Sequence, residues 1–196
     1  IAIANTQMDS IGVEIEEILK RLKIPFKDYS QEGCFSRTIS CCIEGFTKTD
    51  WRKREYNLLH KYLVKYNIYS KKANEKFIPN ELIANLSERQ IALFLNRLFS
   101  TDGCYSKDTR QITTMYTSVS EELIDGVRIL LNKLGINSTK RKEKKEGLIG
   151  GRKEIISNYD AFTLRIKKAS DLLKFIKKIN IFSKENIVSD DAVAKL

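Results

Sequence analysis

The chain has 196 residues, 42% of them hydrophobic, and 35 Lys and Arg against 25 Asp and Glu give a net charge of +10. That length supports one large domain or two small ones around a substantial core, and no run of about 18 apolar residues is present to span a membrane. A lone histidine, His60, excludes a His-rich zinc site and argues against Ser-His or Cys-His nucleophiles. Cys34, Cys41, Cys42 and Cys104 match no zinc spacing and read as buried small hydrophobes in a reducing compartment.

In chain order, "IAIANT" (1–6) reads as a strand. "NTQMDSIGVEIEEILKRLKI" (5–24) follows as a helix opened by Thr6-x-x-Asp9, with Ile11, Ile15, Ile18, Leu19 and Leu22 on one face. Two extended runs, "FKDYS" and "FSRTISCCI", come next, joined through Gln31-Glu32-Gly33, and then an amphipathic helix running into "LVKYNIYSKK" (63–72). Ser87-x-x-Gln90 opens a helix through Ile91, Phe94, Leu95 and Leu98 that ends at Asp102, with Gly103 as its stop. A carboxylate at that end faces the negative pole of the helix dipole, a cost of about 0.3–1 kcal/mol unless something compensates it.

The second half repeats the plan. "QITTMYT" is a strand, and "TSVSEELIDGVRILLNKLGI" (117–136) is a helix opened by Ser118-x-x-Glu121, with Leu123, Val127, Leu130, Leu131 and Leu134 as its apolar face. "INSTKRK" and "YDAFTLRI" are extended and joined by a basic Gly-Gly loop. Alternation puts Phe162, Leu164 and Ile166 on one face of the last strand, Thr163 and Arg165 on the other. The first helices match at an offset of 112, and "LVKYNIYSKK" matches "IKKINIFSKE" (176–185) at 113. Two matches at nearly one offset indicate a tandem duplication of roughly 110 residues, with repeats over 1–86 and 87–196. The counterpart of Asp102 falls upstream of residue 1, so the first repeat lacks its opening helix and strand.

The basic excess is clustered. "TKRKEKKEGLIGGRKE" (139–154) has five basic residues before its Gly-rich tip and two after, and "WRKRE" (51–55) adds three. Such clustering is the footprint of polyanion binding, with a solvated loop as the plain alternative.

"LNRLFSTDG" (95–103) resembles the LAGLIDADG, or dodecapeptide, motif of intein homing endonucleases. The resemblance extends through Lys76-x-Ile78-Pro79 ahead of the helix and through "YTSVSEELIDGVRILLNKLGI" after it, and is closest to inteins of DnaB-type replicative helicases. Splicing blocks and a first motif are absent, which suggests an endonuclease segment trimmed at its N-terminal edge. Arg97 stands where the family often has Gly, so it must bend away or weaken the crossing of the motif helices.

The resemblance implies an α+β fold of two pseudo-symmetric αββαββα repeats, with saddle-shaped antiparallel sheets laid against double-stranded DNA. It implies metal-dependent, site-specific double-strand cleavage with Mg²⁺ or another divalent cation, Asp102 and Gly103 at the metal, and Ser100 on the helix surface. Lys76 and Lys167 would polarise water. DNA contacts would come from Arg37, Gln111, Thr113, Lys140, Arg141, Lys142, Arg152, Lys153 and Arg165. The implied partners are a host protein such as a replicative helicase and a splicing domain in cis, in bacterial cytoplasm or plastid stroma. A non-catalytic DNA- or RNA-binding remnant, or a maturase, is the alternative.

Overall fold

Residues 2–4, 9–28, 36–41, 58–108, 111–143 and 159–182 are described in the computed structural model. They divide into two units, Ile1–Tyr69 and Ser70–Leu196. The first contains β1 (Ala2–Ala4), α1 (Asp9–Arg21), β2 (Phe26–Asp28), β3 (Ser36–Cys41) and α2 (Leu58–Lys65). Its strands pair antiparallel in the order β1-β3-β2. Leu19 and Ile24 form a small core with Ile15, Phe26 and Leu59 packed against it.

The second unit opens with a 3-10 turn at Ala73–Glu75. It continues through α3 (Asn80–Asn85), α4 (Glu88–Asp102), β4 (Gly103–Asp108), β5 (Gln111–Ser118), α5 (Glu121–Lys133), β6 (Thr139–Glu143), β7 (Ala161–Ile166) and α6 (Ala169–Lys178). The sheet is antiparallel in the order β4-β5-β7-β6. Its core joins Leu95 and Phe99 of α4, Tyr116 of β5, Val127 and Leu131 of α5, Leu164 and Ile166 of β7 and Phe175 of α6. Phe99 lies 5.2 Å from the Tyr116 ring and 4.9 Å from that of Phe175, at angles that favour edge contacts.

The duplication is visible within each unit taken alone. α1 and α5 start and stop at positions exactly matched by the 112 offset. Each ends in a left-handed residue, Lys23 at φ 53° and Gly135 at φ 72°. Ile24 N–H donates to the Leu19 carbonyl at 2.9 Å, and Ile136 N–H to that of Leu131 at 3.0 Å, the six-to-one bond of a Schellman turn. Asn67 and Asn180 are also both left-handed, at φ 54° and 58°. The order β1-β3-β2 repeats as β5-β7-β6.

Sequence and structure part in several places. The cap of α5 is Ser120, whose Oγ accepts from Leu123 N–H, and Ser118 instead accepts from Ser120 N–H at 3.1 Å. Ile18 and Leu22, expected in the core, are 37% and 44% exposed, although their counterparts Leu130 and Leu134 are buried. Residues 70–86, assigned to the first repeat, pack with the second unit. Ile78 joins its core, and a Cβ on Gly126 of α5 would come within 3.2 Å of the Ile78 side chain. Cys104 is exposed rather than buried. The Thr6-x-x-Asp9 box lies outside the described residues.

Candidate nucleic-acid interface

Helix α4 is capped as its sequence requires. Ser87 Oγ accepts from Gln90 N–H, and the Gln90 side chain accepts from Ser87 N–H at 2.9 Å. The helix passes into β4 with no intervening loop. Gly103 N–H donates to the Phe99 carbonyl, and the Gly103 backbone is extended, at φ −85° and ψ 159°. Its glycine is therefore not a left-handed cap. A Cβ there would lie 2.6 Å from the Phe99 carbonyl oxygen and 2.7 Å from its ring. Any larger residue would block the direct turn from helix to strand.

This turn leaves Asp102 exposed at the edge of the sheet, one residue before the Gly103–Tyr116 pair. Burial pushes the Tyr116 hydroxyl well above its ordinary range, and the negative charge of Asp102 pushes it further. Ser100, expected on the helix surface, is buried, with its hydroxyl donating to the Asn96 carbonyl at 2.7 Å. The Arg97 guanidinium sits over the Phe182 ring, 4.2 Å from the centroid, and donates to Asn96 Oδ1.

Strand register divides the expected DNA contacts between the two faces of the sheet. Ile112, Thr114 and Tyr116 turn to the helices, as do Leu164 and Ile166. Successive strand residues alternate in direction, so Thr113, Met115 and Thr117 lie on the other face. Cross-strand pairing then puts Cys104 and Ser106 of β4, Thr163 and Arg165 of β7, and Thr139, Arg141 and Glu143 of β6 on that face, which is open at Thr117, Thr139 and Arg141 although Thr163 itself is buried. Thr117 and Thr163 hydrogen-bond through their hydroxyls at 3.1 Å, and Arg165 Nη2 lies 3.0 Å from Glu143 Oε1. Gln111 pairs with Asp108 in the ladder of β4 and β5.

Lys140 and Lys142 pair with Leu164 and Phe162, which places them on the helix side. Lys140 Nζ sits 2.8 Å from Asp125 and 2.9 Å from Glu121, both on α5. Lys142 Nζ is 2.8 Å from Asp160 and lies over the Phe162 ring. Both stand one residue out of phase with Arg141, so they lie on the opposite face of β6 from it. Arg37 sits opposite Ile3 in β1–β3, as Arg165 sits opposite Met115 in β5–β7. Arg152 and Lys153 lie outside the described residues.

The two lysines assigned to water activation occupy different ends of the second unit's sheet. The Lys76 carbonyl accepts from Ser120 Oγ, which brings its segment to the end of β5 where Asp102 lies. Lys167 follows Ile166, which pairs with Thr114, so it sits at the level of Thr113. Four residues along the strands and two strand spacings across, roughly 13 Å by 10 Å, separate it from Asp102.

The donors fit a hard cation only in part. Among the described residues no three His, Cys, Asp or Glu side chains come together. Asp102 offers one carboxylate, which suits an ion of the magnesium type that keeps its waters and shares substrate phosphate oxygens, not an ion in a closed protein cage. Sequence reasoning missed Thr117, Thr139, Glu143 and Met115. Alternation outward from Tyr116 would have found the residues on β5.

A helix-to-strand turn carrying an acid, beside a four-stranded antiparallel sheet packed on helices, defines an α+β domain. Residues 89–180 match the family model of the LAGLIDADG-like domain. The chain is 32% identical over 141 residues to the replicative DNA helicase DnaB of Synechocystis sp., matching 70% of this chain and 15% of the helicase. It is 30% identical over 118 residues to the protein RecA of Mycobacterium tuberculosis, 57% of this chain and 15% of RecA. The chain thus spans about 15% of the length of these relatives. Among solved structures it resembles I-DmoI bound to its target DNA in the presence of magnesium. The TM-score is 0.55 at 15% identity, covering 91% of this chain and 78% of that one. The fold is that of a LAGLIDADG homing endonuclease, with mixed helices and antiparallel sheet.

Proposed function

We propose that the chain is the endonuclease segment of an intein, cutting double-stranded DNA at a specific site with the help of a divalent cation. The observation that carries this reading is the placement of Asp102, delivered by a capped helix straight to the edge of a sheet whose open face bears Arg141, Arg165 and a row of threonines. Such a face matches a DNA groove chemically. Guanidinium groups donate to guanine O6 and N7, and hydroxyls act as donors or acceptors to base edges or phosphates. Arg152 and Lys153 of the basic hairpin would add sequence-blind phosphate contacts whose strength falls with salt.

Asp102 is the residue that would hold the cation, and Lys76 would donate a hydrogen bond to water or a phosphate oxygen. When bound, a divalent cation supplies an activated water and neutralises charge on the leaving oxygen. Support for the host comes from the similarity to a DnaB helicase, of which the matching segment is a small part. A replicative helicase as host, a splicing domain in cis and residence in bacterial cytoplasm or plastid stroma complete the proposal. Solved relatives bound to DNA with magnesium, manganese or calcium support a divalent cation without selecting one.

The test is cleavage of intein-free host-gene DNA in Mg²⁺, with and without the upstream coding segment, against an Asp102→Asn variant. Loss of cutting with retained binding in that variant supports the nuclease. Retained cutting would overturn the role of Asp102. A second reading is a non-catalytic DNA or RNA binder, favoured by the absence, among the described residues, of a carboxylate cluster around Asp102. Binding with no cutting under either condition would establish it.

A further inference from the structure

The face that carries Arg141 and Arg165 also carries a salt bridge between β7 and β6. Arg165 projects from the central strand β7 and reaches Glu143 near the end of β6, with Nη2 to Oε1 at 3.0 Å. The two residues are not cross-strand partners. Arg165 stands opposite Thr139, and Glu143 opposite Ala161, four positions further along. The guanidinium therefore lies along the sheet, past Thr163, to make the pair. Its Nε is buried with no hydrogen-bond partner among the described residues, so this pose leaves one donor unused. Arg141, on the same face beside Thr163, is exposed.

We propose that Glu143 is a specificity-determining residue that holds Arg165 down and selects against sequence-blind binding. The inference rests on the open face being the DNA-contacting face. A carboxylate paired with the Arg165 guanidinium repels phosphate oxygens and competes with them for Arg165. A phosphate cannot replace Glu143 without leaving that carboxylate unpaired near the DNA backbone. A base edge with a donor, such as cytosine N4, can satisfy Glu143 while Arg165 turns to an acceptor such as guanine O6 or N7. Only a duplex that serves both groups releases the pair without penalty, which is discrimination by an unfavourable contact with every other sequence.

The experiment compares wild type with Glu143→Gln and Asp160→Asn in binding to random-sequence duplex DNA across a salt series. Asp160 is the control because it pairs with Lys142 on the helix side of the sheet. Glu143→Gln is expected to tighten random-duplex binding about three- to tenfold and to steepen the log K against log salt slope by about one phosphate. Asp160→Asn should leave both unchanged. Equal affinity and slope for wild type and Glu143→Gln would overturn the role of Glu143 while leaving the DNA-binding reading intact. Absence of DNA binding by wild type would overturn both. Circular dichroism of each variant separates these outcomes from misfolding, and Glu143→Asp, which keeps the charge, should restore the wild-type slope.

Discussion

Lys23 and Gly135 occupy the same left-handed turn in the two repeats, at φ 53° and 72°. A left-handed backbone costs a side-chain-bearing residue roughly 1–2 kcal/mol, part of which glycine returns as greater freedom in the unfolded chain. Lys23→Gly should therefore stabilise the protein by about 0.5–1 kcal/mol, and Gly135→Ala should destabilise it by about 1 kcal/mol. Urea denaturation of both variants checks this. Loss of stability in Lys23→Gly would mean that the lysine side chain contributes more than its backbone costs.

Gly103 makes a different demand. Its φ of −85° is open to any residue, yet a Cβ would meet the Phe99 carbonyl oxygen at 2.6 Å. Phe99 cannot retreat easily, since its ring is packed against Tyr116 and Phe175. Gly103→Ala should cost about 1–3 kcal/mol through overpacking and should displace Asp102. The expected result is a lower unfolding midpoint, read by thermal denaturation. A wild-type midpoint would show that the turn relaxes.

The fold was legible where one signal had a single reading. The helical spacing of Ile11, Ile15 and Leu19 recurs at Leu123, Val127 and Leu131, and both helices fall where that period places them. The apolar alternation of Phe162, Leu164 and Ile166 places these three together in the core, although Ala161 and Thr163 on the other face are buried as well. β6 has no such alternation. "TKRKE" is polar throughout, so only pairing with β7 decides that Arg141 lies on the open face and Lys140 and Lys142 do not. Ser118 and Ser120 are both competent caps, and the choice between them depends on tertiary contact, because Ser120 also donates to the Lys76 carbonyl. Asp102 stood out because its charge opposes the helix dipole. Glu143 gave no comparable sign, since its partner is remote in sequence.

Lys140 ties β6 to α5, and the tie is pH-dependent. Hydrogen bonds to Asp125 and Glu121 raise its pKa from the ordinary 10.5. A raised folded pKa means that the stabilisation is fully present below the unfolded value and is lost as pH climbs through the folded one. Stability should thus fall more steeply above pH 10.5 in wild type than in Lys140→Met. Because the pair is near the surface, its contribution at neutral pH should be no more than about 1 kcal/mol. Parallel pH profiles in the two proteins would remove this role for Lys140.

Arg141 and Lys142 are adjacent in sequence and on opposite faces of one strand, which makes them a direct test of the interface. If DNA lies on the open face, Arg141→Met should weaken binding by about 1–3 kcal/mol where the arginine meets a base edge. Where it meets phosphate, the loss should be uniform across sequences, with a salt slope shallower by about one. Lys142→Met should leave affinity nearly unchanged, because its ammonium is paired with Asp160 and lies over the Phe162 ring on the helix side. Fluorescence anisotropy on a labelled duplex at several salt concentrations distinguishes the two variants. Equal losses would mean that the duplex is held by net charge alone, and a larger loss for Lys142→Met would move the interface to the other side of the sheet.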